Sequence, residues 1–109
     1  MAAKGTSTFI AQRASAVLLL PLAIWFVWGV IAHGGADYAT ARAWLSERLT
    51  AGLFAAFIVL SAFHMRIGLN ELIEDYVHAG LKGVFMTLNT LAALLVAGAG
   101  LWAAWRLAF

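Results

Sequence analysis

The chain has 109 residues, 64% hydrophobic and 11% charged, with a formal net charge of +2 and a mean hydropathy of +0.91. Soluble domains run at about 45–50% apolar and about 25% charged, and so small a body has too little interior to hide this much apolar surface. An ordinary soluble domain is therefore excluded, as is disorder, which needs the opposite composition. The basic residues stand singly and form no patch, which excludes nucleic acid as a partner. The absence of cysteine excludes disulfides, thiolate-bound metals and self-held iron–sulfur clusters. What remains is an integral membrane protein.

The charged residues leave three long uncharged runs, residues 14–32, 49–65 and 83–105. A bilayer core of about 30 Å takes roughly 20 apolar residues as a helix. The second run is short, but a helix can continue through Ile67, Gly68 and Leu69 before acids accumulate. The expected fold is all-α, with three transmembrane helices at about 14–32, 50–70 and 83–106 in a single domain, 1–109. The first run is too long for a signal peptide and lacks a small-residue cleavage pattern. Pro21 sits inside it and is expected to be tolerated, with a kink as its cost. Residues 1–12 read as a short, polar, peripheral segment.

Charge bias separates the two membrane faces poorly: Lys4, Arg13 and Lys82 fall on one side, Arg42, Arg48 and Arg106 on the other. Trp25, Trp28, Trp102 and Trp105 fall towards the first-loop face and read as an interfacial aromatic belt.

Ionisable groups inside a span are expensive and usually face a partner, a cavity or a cofactor. His64 is such a group, near the end of the second run. An imidazole offers one lone pair to a metal, and histidine is a common haem ligand. The alternative is a histidine hydrogen-bonded to a neighbouring helix.

If the second helix continues regularly, Gly68 and Asp75 follow His64 at i+4 and i+11. Eleven residues turn the helix about 20° past three full turns and advance it about 16 Å. His64, Gly68 and Asp75 then share one face. A glycine there admits a flat ligand, or simply packs a helix closely. Arg66 falls about 200° away from His64, so it is read as snorkelling to the interface or pairing with a partner chain. Glu74-Asp75-Tyr76 ends the segment, as a solvated helix end or as an acid beside a hydrogen-bonding phenol. Arg13 opens the first helix on the same side, either as a snorkelling anchor or within reach of an anionic group on a cofactor held by His64. Gln12 and Ser15 are nearby polar candidates with weaker claims.

His64-Met65-Arg66-Ile67-Gly68, a gap of ten residues after the histidine, and then Asp75-Tyr76-Val77-His78 resemble the hydrophobic membrane anchor (D subunit) of succinate dehydrogenase. Arg13-Ala14-Ser15-Ala16 resembles the opening of that family's first helix, and the Asp-Tyr-Val-His ending resembles its alphaproteobacterial and mitochondrial branch. The resemblance implies half of a heterodimeric anchor bundle, paired with the cytochrome b556 (C) subunit around a b-type haem. It implies His64 as the iron ligand, Arg13 near the haem propionates, Tyr76 on the ubiquinone head group and Asp75 as its acidic neighbour. Gly68 lies on the His64 face, and His78 beside the same region is read either as a haem-propionate or quinone-pocket residue or as a solvated interfacial histidine. Further partners would be an iron–sulfur subunit, a flavoprotein subunit that oxidises succinate, and membrane lipid. The place would be the bacterial inner membrane, with the N-terminus cytoplasmic.

The residues alone yield less. Of the three histidines only His64 is deep in a span, so a bis-histidine haem needs an imidazole from another chain. The competing readings are a haem-free anchor of the fumarate reductase type, a small proton or cation transporter subunit using His64, Arg66, Glu71 and Asp75, and a structural assembly factor. Thr87, Asn89 and Thr90 are too mild to extend an ion path and are expected to bond helix to helix.

Overall fold

The computed structural model describes residues 2–109, with side chains from Gly5 onward. Met1, at the start of the expected peripheral segment, and the Lys4 side chain, counted in the charge bias, lie outside that description. Four helices follow one another: α1 Ala2–His33, α2 Tyr38–Ser46, α3 Arg48–Tyr76 and α4 Ala79–Ala108. There is no strand among the described residues. Three of the helices are long and apolar enough to cross a membrane: α1 over Gly5–His33, α3 and α4.

Two boundaries differ from expectation. The polar N-terminal stretch is the first part of α1 and not a separate segment. Nothing between Thr6 and Ser15 breaks a helix, so the apolar run nucleates a helix that extends backwards through it. At about 48 Å for 32 residues, α1 exceeds the hydrocarbon thickness, and its polar first turns suit the headgroup zone. Pro21 lies within α1 and the helix runs through it. The loop between the second and third spans is also shorter than expected. Only Val77 and His78 separate α3 from α4, so Glu71, Glu74 and Lys82 ride on helices.

The first loop holds a helix that the hydropathy pattern hides. Asp37 caps α2 by accepting a hydrogen bond from the Thr40 backbone N–H at 2.8 Å. Ala41, Trp44 and Leu45 then lie on its inner face, at i, i+3 and i+4. Trp44 enters an aromatic cluster with Trp25, at a centroid distance of 6.1 Å, and Phe54, at 5.7 Å. His33 stacks flat on it at 3.9 Å. Phe26 continues the cluster to Phe57 at 5.0 Å. Trp25 is therefore half-buried as packing, whereas Trp28, Trp102 and Trp105 stay exposed and suit the expected belt. Gly29 makes room for this: a Cβ there would lie 2.6 Å from Trp44 Cη2.

Helix α3 is central, packing α1 on one side and α4 on the other. The α3–α4 pair is antiparallel, with Arg48 at the start of α3 over the Phe109 ring at the end of α4 (4.8 Å). They pack tightly at Gly100, where a Cβ would meet Ile58 Cγ2 at 2.5 Å. Small residues at such a crossing let two helices come close enough for dispersion to hold them. The core is thin. Among the described residues only Ala51, Ala62 and Ile67 are buried hydrophobics, and no large side chain is fully buried. Large apolar side chains face outward on every helix. That arrangement is stable only where lipid or other helices meet those faces.

Candidate functional site

The side chains that hydrogen-bond one spanning helix to another, Ser15, His64, Arg66, Asn89 and Thr90, gather in the half of the bundle that contains the α3–α4 turn. They divide between the two faces of α3. On the α1 face, His64 Nδ1 lies 2.8 Å from Ser15 Oγ. Ser15 Oγ also donates to the Gln12 carbonyl at 2.9 Å. Ser15 is 3% exposed, so this is a buried contact between residues 49 positions apart. It is the polar link that ties α1 to α3 at this level.

His64 itself is only half-buried. Its Nε2 has no hydrogen-bond partner among the described residues. One turn on, Gly68 has nothing within 4 Å of where a Cβ would sit. Its bareness does not serve packing within this chain, unlike that of Gly100. Helix α3 runs unbroken to Tyr76, so the phase condition holds and His64, Gly68 and Asp75 share one side. Asp75 is exposed in the last turn and Tyr76 is 81% exposed beside it. Both groups point away from this chain's own packing, so any partner they have is external to it.

Arg13 is not brought to His64. It stands about 200° round α1 from Ser15, is exposed, and holds its guanidinium carbon 5.2 Å from the Phe9 ring centroid. His78 is the exposed N-cap residue of α4 and makes no side-chain cap bond. His33 sits at the opposite end of the bundle and donates Nδ1–H to the Gly29 carbonyl at 3.0 Å.

The α4 face of α3 carries a second polar group. Arg66 Nε donates to Thr90 Oγ1 at 3.0 Å. Asn89 Nδ2 donates to the Arg66 carbonyl and to Asn70 Oδ1, both at 2.9 Å. Asn89 and Thr90 thus bond helix to helix as expected. Arg66 does more than snorkel: one of its five N–H donors is committed to α4, and in lipid a partnerless donor would be costlier than this bond. A groove of about 260 Å³ flanks this seam, lined by Phe57, Ser61, Met65, Arg66, Leu69 and Asn89 among others. It does not include His64. Arg66 and His64 therefore face opposite ways, and the two do not form one ion path.

Sequence reasoning ranked Ser15 low and did not weigh Trp44, Asn70 or Gly100. An Asp followed by an apolar i, i+3, i+4 set would have signalled α2. The Gly100–Ala104–Ala108 spacing signals a close helix face. Nothing local marks Ser15 or Asn70, because their partners lie on other helices.

No group of three or more His, Asp or Glu side chains converges as a metal site among the described residues. Neither the curated proteins nor the solved structures gave a match to this chain. A family model described as succinate dehydrogenase/fumarate reductase transmembrane subunit matches residues 1–101, and with its three spanning helices this chain belongs to that family of membrane anchor subunits.

Proposed function

We propose that this anchor subunit holds one side of a b-type haem through His64 and lines a ubiquinone-reducing site with Asp75 and Tyr76, in a complex that oxidises succinate. The partners in this reading are a second three-helix anchor, the cytochrome b556 subunit, with an iron–sulfur subunit and a flavoprotein subunit. The site of action is the bacterial inner membrane, with the N-terminus cytoplasmic.

The observation that carries the reading is His64: an imidazole inside a span, with one nitrogen engaged by Ser15 and the other free of partners among the described residues. Gly68 leaves open space one turn away on the same side. These features fit a haem approached from the α1–α3 side. His33 and His78 stand at helix ends, so a haem held by two histidines would need its second imidazole from another chain. Arg13 and His78 are the cationic or hydrogen-bonding candidates for the propionates. When bound, the haem supplies a one-electron redox centre.

The remaining chemistry belongs to side chains. A quinone carbonyl needs a hydrogen-bond donor as negative charge develops on it, and the Tyr76 hydroxyl is one. Reduction to the quinol takes up two protons with two electrons. Tyr76 would give one proton to the carbonyl oxygen nearer it, and Asp75, exposed to the aqueous edge beside it, would restore that proton from water; the proton for the second carbonyl would come from groups of the partner subunits or water on its other side.

The test is the reduced-minus-oxidised optical spectrum of the complex purified in mild detergent, for wild type and His64→Ala. Loss of the b-type signal in the variant is expected; an unchanged signal refutes the assignment. The Ser15–His64 bond also suits a haem-free, fumarate-reductase-type anchor in which His64 joins two helices. A wild-type complex that reduces quinone without any b-type signal selects that second reading.

A further inference from the structure

We infer that Ser15 is a positioning residue for the haem, which holds His64 in the tautomer that ligates through Nε2. The inference rests on the reading of His64 as an iron ligand.

A serine hydroxyl has one hydrogen and two lone pairs. Ser15 Oγ has two close partners, the Gln12 carbonyl oxygen at 2.9 Å and His64 Nδ1 at 2.8 Å. A carbonyl oxygen only accepts, so the single hydroxyl hydrogen is committed to Gln12. The contact to His64 is then a hydrogen bond only if Nδ1 carries the hydrogen and donates to Oγ. In the other tautomer Ser15 would have to donate to Nδ1. Its oxygen would then face the Gln12 oxygen at 2.9 Å with no hydrogen between them. Of the two neutral tautomers, only the Nδ1–H form satisfies both contacts. That form leaves the lone pair on Nε2, the nitrogen with no partner among the described residues.

The anchoring is rigid. Gln12 and Ser15 lie in one turn of α1, and a serine bonded to the carbonyl three residues back has a settled rotamer. Ser15 is 3% exposed, so water does not compete for its oxygen. The ring of His64 on α3 is thus held by the backbone of α1 through two hydrogen bonds in series, which strengthen each other. An acceptor bonded to the far nitrogen of a ligating histidine fixes the ring's orientation and raises its basicity, and its loss costs about 10–100-fold in metal affinity.

Ser15→Thr and Ser15→Val test this, because the two new side chains have the same shape and differ by one hydroxyl. The complex is purified for each, with His64→Ala and wild type alongside. Haem release to apomyoglobin, the haem midpoint potential and the ferric EPR g-values are measured. Ser15→Val is expected to release haem at least about 10-fold faster than wild type, to shift the midpoint potential upward, and to alter the g-values. Ser15→Thr is expected to stay close to wild type in all three. Equal behaviour of Thr and Val, whether both intact or both impaired, overturns the role of the hydroxyl. Haem retained in His64→Ala overturns the underlying ligand reading instead, so the two failures are told apart. Ser15→Ala, the smaller change, repeats the comparison if Val does not assemble.

Discussion

Gly100→Ala places one methyl group where α4 packs directly on Ile58 of α3. Its Cβ would lie 2.5 Å from Ile58 Cγ2, 3.0 Å from Ile58 Cβ and 3.1 Å from Ile58 Cδ1. Carbon atoms settle at about 3.5–4.0 Å, so the shortfall at Cγ2 is about 1 Å. Ile58 cannot turn aside cheaply, because a β-branched side chain in a helix has one strongly preferred χ1. The helices must separate instead. Overpacking of this size costs about 1–3 kcal/mol. Removing a helical glycine returns about 1 kcal/mol of backbone entropy, so the net cost is up to about 2 kcal/mol. Gly98→Ala is the matched control. It carries the same entropic gain, and nothing lies within 4 Å of its Cβ. The two variants should therefore differ by about 1–3 kcal/mol. SDS titration of the purified complex, with helicity and anchor release as readouts, measures this. Ile58→Ala completes a double-mutant cycle: it removes the 2.5 Å contact and leaves the one at 3.0 Å, so most of the Gly100→Ala cost should vanish in the double variant. Equal stability of the Gly98 and Gly100 variants, or strict additivity in the cycle, refutes the close-crossing argument.

Gly68→Ala should leave the packing of this chain unchanged, since its Cβ meets nothing within 4 Å, but should weaken haem retention in the complex; an effect on assembly with haem content intact would assign Gly68 to helix packing. Tyr76→Phe should lower quinone reduction while succinate oxidation by artificial acceptors persists, and equal loss of both assays would point to a folding role. Asp37 is held below its ordinary carboxylate value by hydrogen bonds from Thr40, side chain first and backbone second. A lowered folded pKa means that its capping contribution is complete above about pH 4 and is lost as pH falls through the lower, folded value. Amide exchange at Thr40 should therefore speed up in acid beyond the intrinsic trend in wild type, and not in Asp37→Asn, which keeps an uncharged acceptor; identical acid behaviour in both would contradict the cap.

The three spans and their membrane setting follow from composition and run length, because in a bilayer an apolar run of about 20 residues has no alternative to a helix. The shared face of His64, Gly68 and Asp75 also follows, because an α-helix converts spacing into angle once it is known to be unbroken. The short α2 escapes a hydropathy profile tuned to spans, and hydropathy cannot tell an aromatic in an interfacial belt from one such as Trp25, packed under a short helix. The Arg66 bond to α4 is likewise invisible to hydropathy. Spacing gave its direction, away from His64, but not the presence of Thr90 opposite it.

One-dimensional order thus settles what depends on a residue and its near neighbours: which segments enter lipid, and which side chains within a helix look the same way. The shared face of His64 and Gly68 is legible at that level; how far His64 is buried and that Gly68 faces open space are not. What required the folded chain is every contact across helices. Gly68 and Gly100 are both helical glycines, yet one faces open space and the other Ile58. Ser15 is an unremarkable serine until α1 packs on α3 and brings it 2.8 Å from His64. Helix packing is set by steric fit between distant segments, and no local rule encodes which hydroxyl meets which imidazole.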